Sequence, residues 1–158
     1  RVSAHSAFKR ALFMRIPPFP ARKVCLNREG YSWYNAPMDT QEILRALTAL
    51  RASAMPGEYD LHRMVAEAFK AAGLPCAHEY RLAPRRRIDF FLDGVGVEIK
   101  KGRPNARQLL CQVERYLACD ELSEIIVVTQ RVTPLPARVL GKRVTNVSLD
   151  RLWGVALP

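Results

Sequence analysis

The chain is short of clustered metal-binding side chains, of long apolar runs and of acids to match its cations. Its four cysteines, Cys25, Cys76, Cys111 and Cys119, show no CxxC spacing, and its three histidines, His5, His62 and His78, are scattered. A zinc ribbon or finger needs closely spaced ligand pairs, so that class is not expected, and reduced thiols are the default reading. No apolar stretch approaches the roughly 18 residues that argue for a membrane span, so no membrane partner is expected. No secretory signal is visible. Residues 1–16 hold Arg1, Lys9, Arg10 and Arg15 without an acid, a faint transit-peptide character that leaves organellar import open. Otherwise a cytoplasmic or nucleoid-associated location is the expectation. Internal repeats and low-complexity tracts are absent too, which removes solenoid architectures.

What is present is one core's worth of apolar sequence carrying a large positive charge. With 158 residues and 49% hydrophobic content the chain can bury one full core. A net charge of +10 and a pI of about 10.0 point toward polyanions, and basic charge alone fits nucleic acid, an anionic membrane surface or a ribosomal partner. Residues 1–37 read as a basic arm, irregular around Pro17-Pro18-Phe19-Pro20, with aromatics at Tyr31, Trp33 and Tyr34. Residues 38–57 read as an accessory helix and linker. Asp39-Thr40-Gln41-Glu42 resembles a capping box, and Ile43, Leu44, Leu47 and Leu50 share one face of a helix running to about residue 53. Pro56-Gly57 would end it. That apolar stripe is also compatible with a homodimer.

Residues 58–158 read as the main domain. The spacing predicts a helix from Glu58 to Ala72, a strand from His78 to Leu82, and a hairpin across residues 87–100. A helix from Asn105 to about Ala118, a doubly buried strand at Ile125-Ile126-Val127-Val128, a strand over 143–149 and a closing turn at 151–153 follow. The expected class is α/β, a mixed central sheet flanked by helices.

The hairpin carries the chemistry. Asp93-Gly94 between alternating apolar runs is a strong two-residue turn signal. In that register Leu92 pairs with Val95, Phe90 with Val97 and Ile88 with Ile99, giving one dry face. The other face sets Asp89 beside Glu98 and Arg87 beside Lys100. Two opposed carboxylates destabilise a sheet unless a cation lies between them, so the pair reads as a metal site with a lysine one step along. Glu58 falls on the same side of its helix as Leu61 and Val65 and becomes the candidate third acid, whereas Glu67 faces water. The plainer reading of Glu58 is complementation of the helix dipole.

A helix acid, then Asp89, Glu98-Ile99-Lys100, and a helix bearing Gln112 and Tyr116 resemble the PD-(D/E)XK nuclease superfamily. The Gln-x3-Tyr pair resembles its RecB-type branch. Ile88 stands where the family's name-giving proline would be. The resemblance implies a restriction-endonuclease-like α-β-β-β-α-β core in residues 58–158 and phosphodiester hydrolysis with Mg²⁺ or Mn²⁺. It also implies metal ligation by Asp89, Glu98, the Ile99 carbonyl and Glu58, and a water-positioning or proton-accepting role for Lys100. Gln112 and Tyr116, one helical turn apart, would lean toward that centre. Arg85, Arg86, Arg87, Lys101, Arg103 and Arg107 are the expected DNA-backbone contacts, which give affinity without sequence specificity. A structure- or end-specific deoxyribonuclease of repair, recombination or phage DNA processing is the reading implied. The alternatives are a nuclease-fold DNA-binding module that no longer cuts, and a basic RNA- or ribosome-associated protein whose hairpin acids are incidental.

Overall fold

The computed structural model describes residues 25–27, 30–32, 38–51 and 57–153. The rest of the expected arm, with Trp33 and Tyr34, and Pro56 of the expected helix stop lie outside the described residues. Within the arm, Cys25–Asn27 (β1) and Gly30–Ser32 (β2) pair antiparallel, a hairpin in a segment expected to be irregular.

Thr40–Thr48 forms α1, opened by Asp39, whose side chain accepts from the Gln41 amide at 2.9 Å. It stops earlier than residue 53, at Thr48, and the Arg51 guanidinium satisfies the end by donating to the carbonyls of Thr48 (2.8 Å) and of Leu50 just beyond it (2.7 Å). Ile43, Ala46, Leu47 and Leu50 are buried in the same cluster as Leu61, Val65 and Phe69 of α2 (Glu58–Ala71). The stripe that suggested a second copy is therefore packed into this chain's own core. It gives no reason of its own to expect a homodimer.

The remaining elements build a six-stranded mixed sheet. Ala77–Ala83 (β3), Arg86–Leu92 (β4) and Val95–Lys100 (β5) run antiparallel to one another. Glu124–Thr129 (β6) and Lys142–Ser148 (β8) continue parallel to β5, and the two-residue Arg138–Val139 (β7) lies antiparallel on β8. The order is β3-β4-β5-β6-β8-β7. Ala106–Leu117 (α3), capped by Asn105 accepting from the Gln108 amide at 3.1 Å, connects β5 to β6; Leu149–Trp153 (α4) follows β8. One face of the sheet (Phe90, Leu92, Val97, Ile126, Val128) packs under α1 and α2. The other (Ile125, Val127, Val144) packs under Leu109, Val113 and Leu117 of α3. β6 is thus buried on both faces, as its uninterrupted apolar run requires. β7 is too short to leave a pattern in sequence. Among the described residues no helix is long and apolar enough to cross a membrane.

The Asp93-Gly94 turn forms as expected, with both residues at positive φ (44° and 88°), the conformation a type I′ hairpin demands. Pairing then runs Leu92–Val95, Phe91–Gly96 and Phe90–Val97. Beyond that the expected dry face breaks. Ile88 does not join Ile99 but lies in the opposite cluster, with Leu109, Val113 and Leu122. The cause is Asp89, whose Oδ2 accepts the Ile99 amide at 2.7 Å, so a side chain fills the place of a ladder bond and β4 loses its alternation.

Gly96 makes room for the displaced isoleucine. A Cβ there would stand 2.4 Å from Ile88 Cδ1 and 3.0 Å from Leu122 Cδ2. Gly96→Ala is expected to cost about 1–3 kcal/mol by overpacking, read from the midpoint of urea unfolding. A loss below about 0.5 kcal/mol, the range of an indifferent site, would mean that Ile88 steps aside freely.

Candidate active site

Where β4 and β5 part, four side chains close into one network. Glu98 is 2% exposed, pressed between β5 and α3. Its Oε1 receives the Lys100 Nζ at 2.7 Å and the Gln112 Nε2 at 2.7 Å. Gln112 Nε2 also donates to the Tyr116 hydroxyl at 2.8 Å, and that hydroxyl donates to the Arg87 carbonyl at 2.6 Å. The spacing of four residues puts Gln112 and Tyr116 on one edge of α3, while Leu109 and Val113 anchor the helix beside them. The tyrosine thus ties α3 to the start of β4, and the glutamine transmits that position to Glu98. The second carboxylate oxygen, Oε2, is buried and has no hydrogen-bond partner.

The electrostatics follow from that burial. Desolvation, then the neighbouring Asp89 charge, pushes Glu98 up to about 7, against the pull of Lys100. Asp89 is also raised, by burial first; the Ile99 amide, His62 and Lys100 oppose the shift, and Glu58 adds a small push upward. Tyr116 rises to about 12 through burial and the adjacent Glu98. Asp89 therefore makes Glu98 costlier to ionise, and Lys100 offsets part of the cost for both acids.

Glu58 opens α2 and is exposed rather than on the buried side. It stands on the rim of a cleft of about 480 Å³ between α2 and the edge strand β3, a cleft also lined by Tyr59, His62, Arg63 and His78. Two histidines that look unrelated in sequence meet here. His62 Nδ1 lies 3.4 Å from His78 Nε2, and His62 Nε2 lies 3.7 Å from Asp89 Oδ2. Sequence reasoning missed His62: at 16 residues from His78 no local spacing joins them, and only its position one turn after Glu58 hinted at it.

The expected DNA-contact residues divide. β4 runs antiparallel to β5, so the β3–β4 turn with Arg85 lies at the same sheet end as Lys101, Arg103 and Arg107. These four are exposed and make no ion pair among the described residues. Arg86 is instead held at the carbonyl of Arg115 (3.1 Å), and Arg87 pairs with Glu79 at 3.3 Å. The loop carrying Lys101 and Arg103 is fixed by a residue the sequence did not flag. Buried Gln130 accepts from the Gly102 amide at 2.7 Å and donates its own amide to the Lys100 carbonyl at 3.3 Å.

Among the described residues no three His, Cys, Asp or Glu side chains gather into a complete metal cage. A cation that keeps several waters needs only one or two carboxylates. The partnerless Glu98 Oε2 beside a second acid fits such an ion. Main-chain groups of one strand residue point to the same edge, so the Ile99 carbonyl, like its amide, faces the opened β4 side. Asp89, Glu98 and that carbonyl are the donors available, with Glu58 at the rim. No family model, curated protein or solved structure matches the chain.

Proposed function

We propose that the chain is a metal-dependent DNA nuclease of the PD-(D/E)XK type, with Asp89, Glu98 and Lys100 as its catalytic residues. The observation that carries the reading is Glu98: buried, raised to about 7 by burial and by the charge of Asp89, with one oxygen on Lys100 and the other without a hydrogen-bond partner. A buried unsatisfied carboxylate oxygen costs on the order of 1–3 kcal/mol, and a folded protein keeps such a group where it serves a ligand or a reaction. The element order α2-β3-β4-β5-α3-β6 supports a restriction-endonuclease-like core.

In this reading Asp89 and Glu98, with the Ile99 carbonyl and Glu58, hold Mg²⁺ or Mn²⁺. Such an ion, when bound, acidifies a coordinated water and offsets charge on the scissile phosphate. Lys100, already oriented by Glu98, donates toward the phosphate oxygens as charge accumulates on them or steers the attacking water. Gln112 and Tyr116 keep the Glu98 carboxylate from turning. Arg85, Lys101, Arg103 and Arg107 receive the backbone on the same end of the sheet, so binding weakens steeply with salt.

The test is cleavage of labelled linear, nicked, flapped and four-way-junction DNA with Mg²⁺, with Mn²⁺ or with EDTA. Asp89→Asn is the control variant, because asparagine keeps an acceptor for the Ile99 amide while removing the charge. Metal-dependent cutting that falls more than about 100-fold in Asp89→Asn is expected, the scale of a lost electrostatic group. Tight, salt-sensitive DNA binding without cutting in any metal would instead identify a binding module.

A further inference from the structure

We propose that the cleft between α2 and β3 is a subsite for an unstacked nucleobase, which makes single-stranded or frayed DNA the preferred substrate of the centre beside it. The inference rests on the nuclease reading for its biological sense, while the cleft's own walls define the site. Three ring-bearing side chains face the cleft: Tyr59, His62 and His78. Tyr59 is 82% exposed on the first turn of α2 and is one of two large hydrophobic side chains left open to solvent among the described residues. A phenol ring so placed is not part of any core; it is a platform.

The imidazoles are held rather than free to swing. His78 packs on Phe90 with ring centroids 4.8 Å apart, and His62 stands edge-on to His78 at 5.7 Å. Phe90 is itself fixed edge-to-face on Phe69 in the core, at 5.6 Å. The floor of the cleft is thus a rigid aromatic wall, and Tyr59 is its exposed side. Planar surfaces of this kind bind bases by stacking, without demanding a sequence.

Volume and position agree with that occupant. About 480 Å³ accommodates one base with its sugar, not a duplex. His62 links the cleft to the acids, since its Nε2 is 3.7 Å from Asp89 Oδ2. A strand whose base entered the cleft would carry its adjoining phosphate past Asp89. A paired, stacked base cannot enter, because it is held on both faces by its neighbours. The cleft's one cationic lining residue, Arg63, already pairs with Asp60 and Glu67, and Glu58 and Glu79 line the cleft with it, so little draws a phosphate inside and the base is the part that enters.

The experiment measures binding of the full chain, in EDTA so that no cutting intervenes, to fluorescein-labelled oligo-dT and oligo-dA of about ten nucleotides and to a duplex of equal length. A base that stacks on one aromatic side chain loses that contact when the ring is removed, so Tyr59→Ala should weaken single-strand binding about tenfold. Tyr59→Phe should retain it, and duplex affinity should change less than about twofold in either variant. The exposure of Tyr59 makes misfolding of these variants a poor explanation for a loss. Unchanged single-strand affinity in Tyr59→Ala, or an equal loss on duplex, overturns the subsite. If the Tyr59 effect appears but no metal supports cleavage, the subsite stands and the nuclease reading falls. If duplex is cut and single strands do not bind, the reverse holds.

Discussion

Glu98→Gln is expected to make the protein more stable above neutral pH while ending its activity. In the folded chain Glu98 titrates at about 7 instead of 4.5, because burial and Asp89 oppose its charge. A carboxyl whose folded value is raised favours folding only while protonated. Its contribution is complete below about 4.5 and is lost as pH climbs through about 7. At pH 8 the ionised group then costs roughly 3 kcal/mol relative to a neutral isostere, at about 1.4 kcal/mol per pKa unit. Glutamine has the shape of the protonated acid and its oxygen can still accept from Lys100 and Gln112. Scanning calorimetry in EDTA should show the variant melting on the order of 5–10 °C above the wild type at pH 8, with the gap closing toward pH 5. Added Mn²⁺ should raise the wild-type melting temperature and leave the variant's unmoved, since a ligand stabilises only the state that binds it. An equal or lower melting temperature for Glu98→Gln at pH 8 would mean that the acid is already satisfied without a cation, and the metal reading would lose its support.

That trade between stability and activity explains why the fold was easier to read in the sequence than the site. Local devices were legible: Asp39 and Asn105 cap helices, Asp93-Gly94 turns the hairpin, and Ile125 to Val128 form a doubly buried strand. Each depends on a few adjacent residues obeying one period. The site departs from that period. Reading β4 as a regular strand placed Ile88 with Ile99, whereas the Asp89 side chain takes the Ile99 amide and sends Ile88 to the other face. A side chain replacing a main-chain bond leaves no trace in hydrophobic alternation. Gly96 was the one available hint, since a glycine inside a strand signals close approach by something else. Tyr59, His62 and His78 were illegible for a different reason. They come from the outer side of α2 and an edge strand, which only the tertiary arrangement brings to one cleft. The helix end at Thr48 belongs to the same class, because Arg51 reaches back to carbonyls that a propensity argument leaves open.

Lys100→Ala should separate metal binding from cutting. The ammonium is 28% exposed and lies 2.7 Å from Glu98 Oε1, where it partly neutralises the acid pair. Any divalent cation entering beside Asp89 and Glu98 therefore meets a site with one resident positive charge. Removing it leaves the two carboxylates facing each other uncompensated, which raises the demand for a cation from solution. The concentration of Mn²⁺ that half-saturates the thermal shift should stay constant or fall in Lys100→Ala, by a factor of about 3–10 if the lost repulsion is near 1 kcal/mol. Cleavage at saturating Mn²⁺ should nevertheless drop about 10³-fold, within the range for loss of a group that transfers a proton or stabilises transition-state charge. Metal affinity kept or gained while cutting is lost is the signature of a catalytic lysine. Were Lys100 only a structural partner of Glu98, its removal would weaken metal binding and cutting together, and raising Mn²⁺ would restore the rate. Such recovery would transfer the water-steering role elsewhere, and His62, beside Asp89 on the opposite wall, would be the next residue to replace.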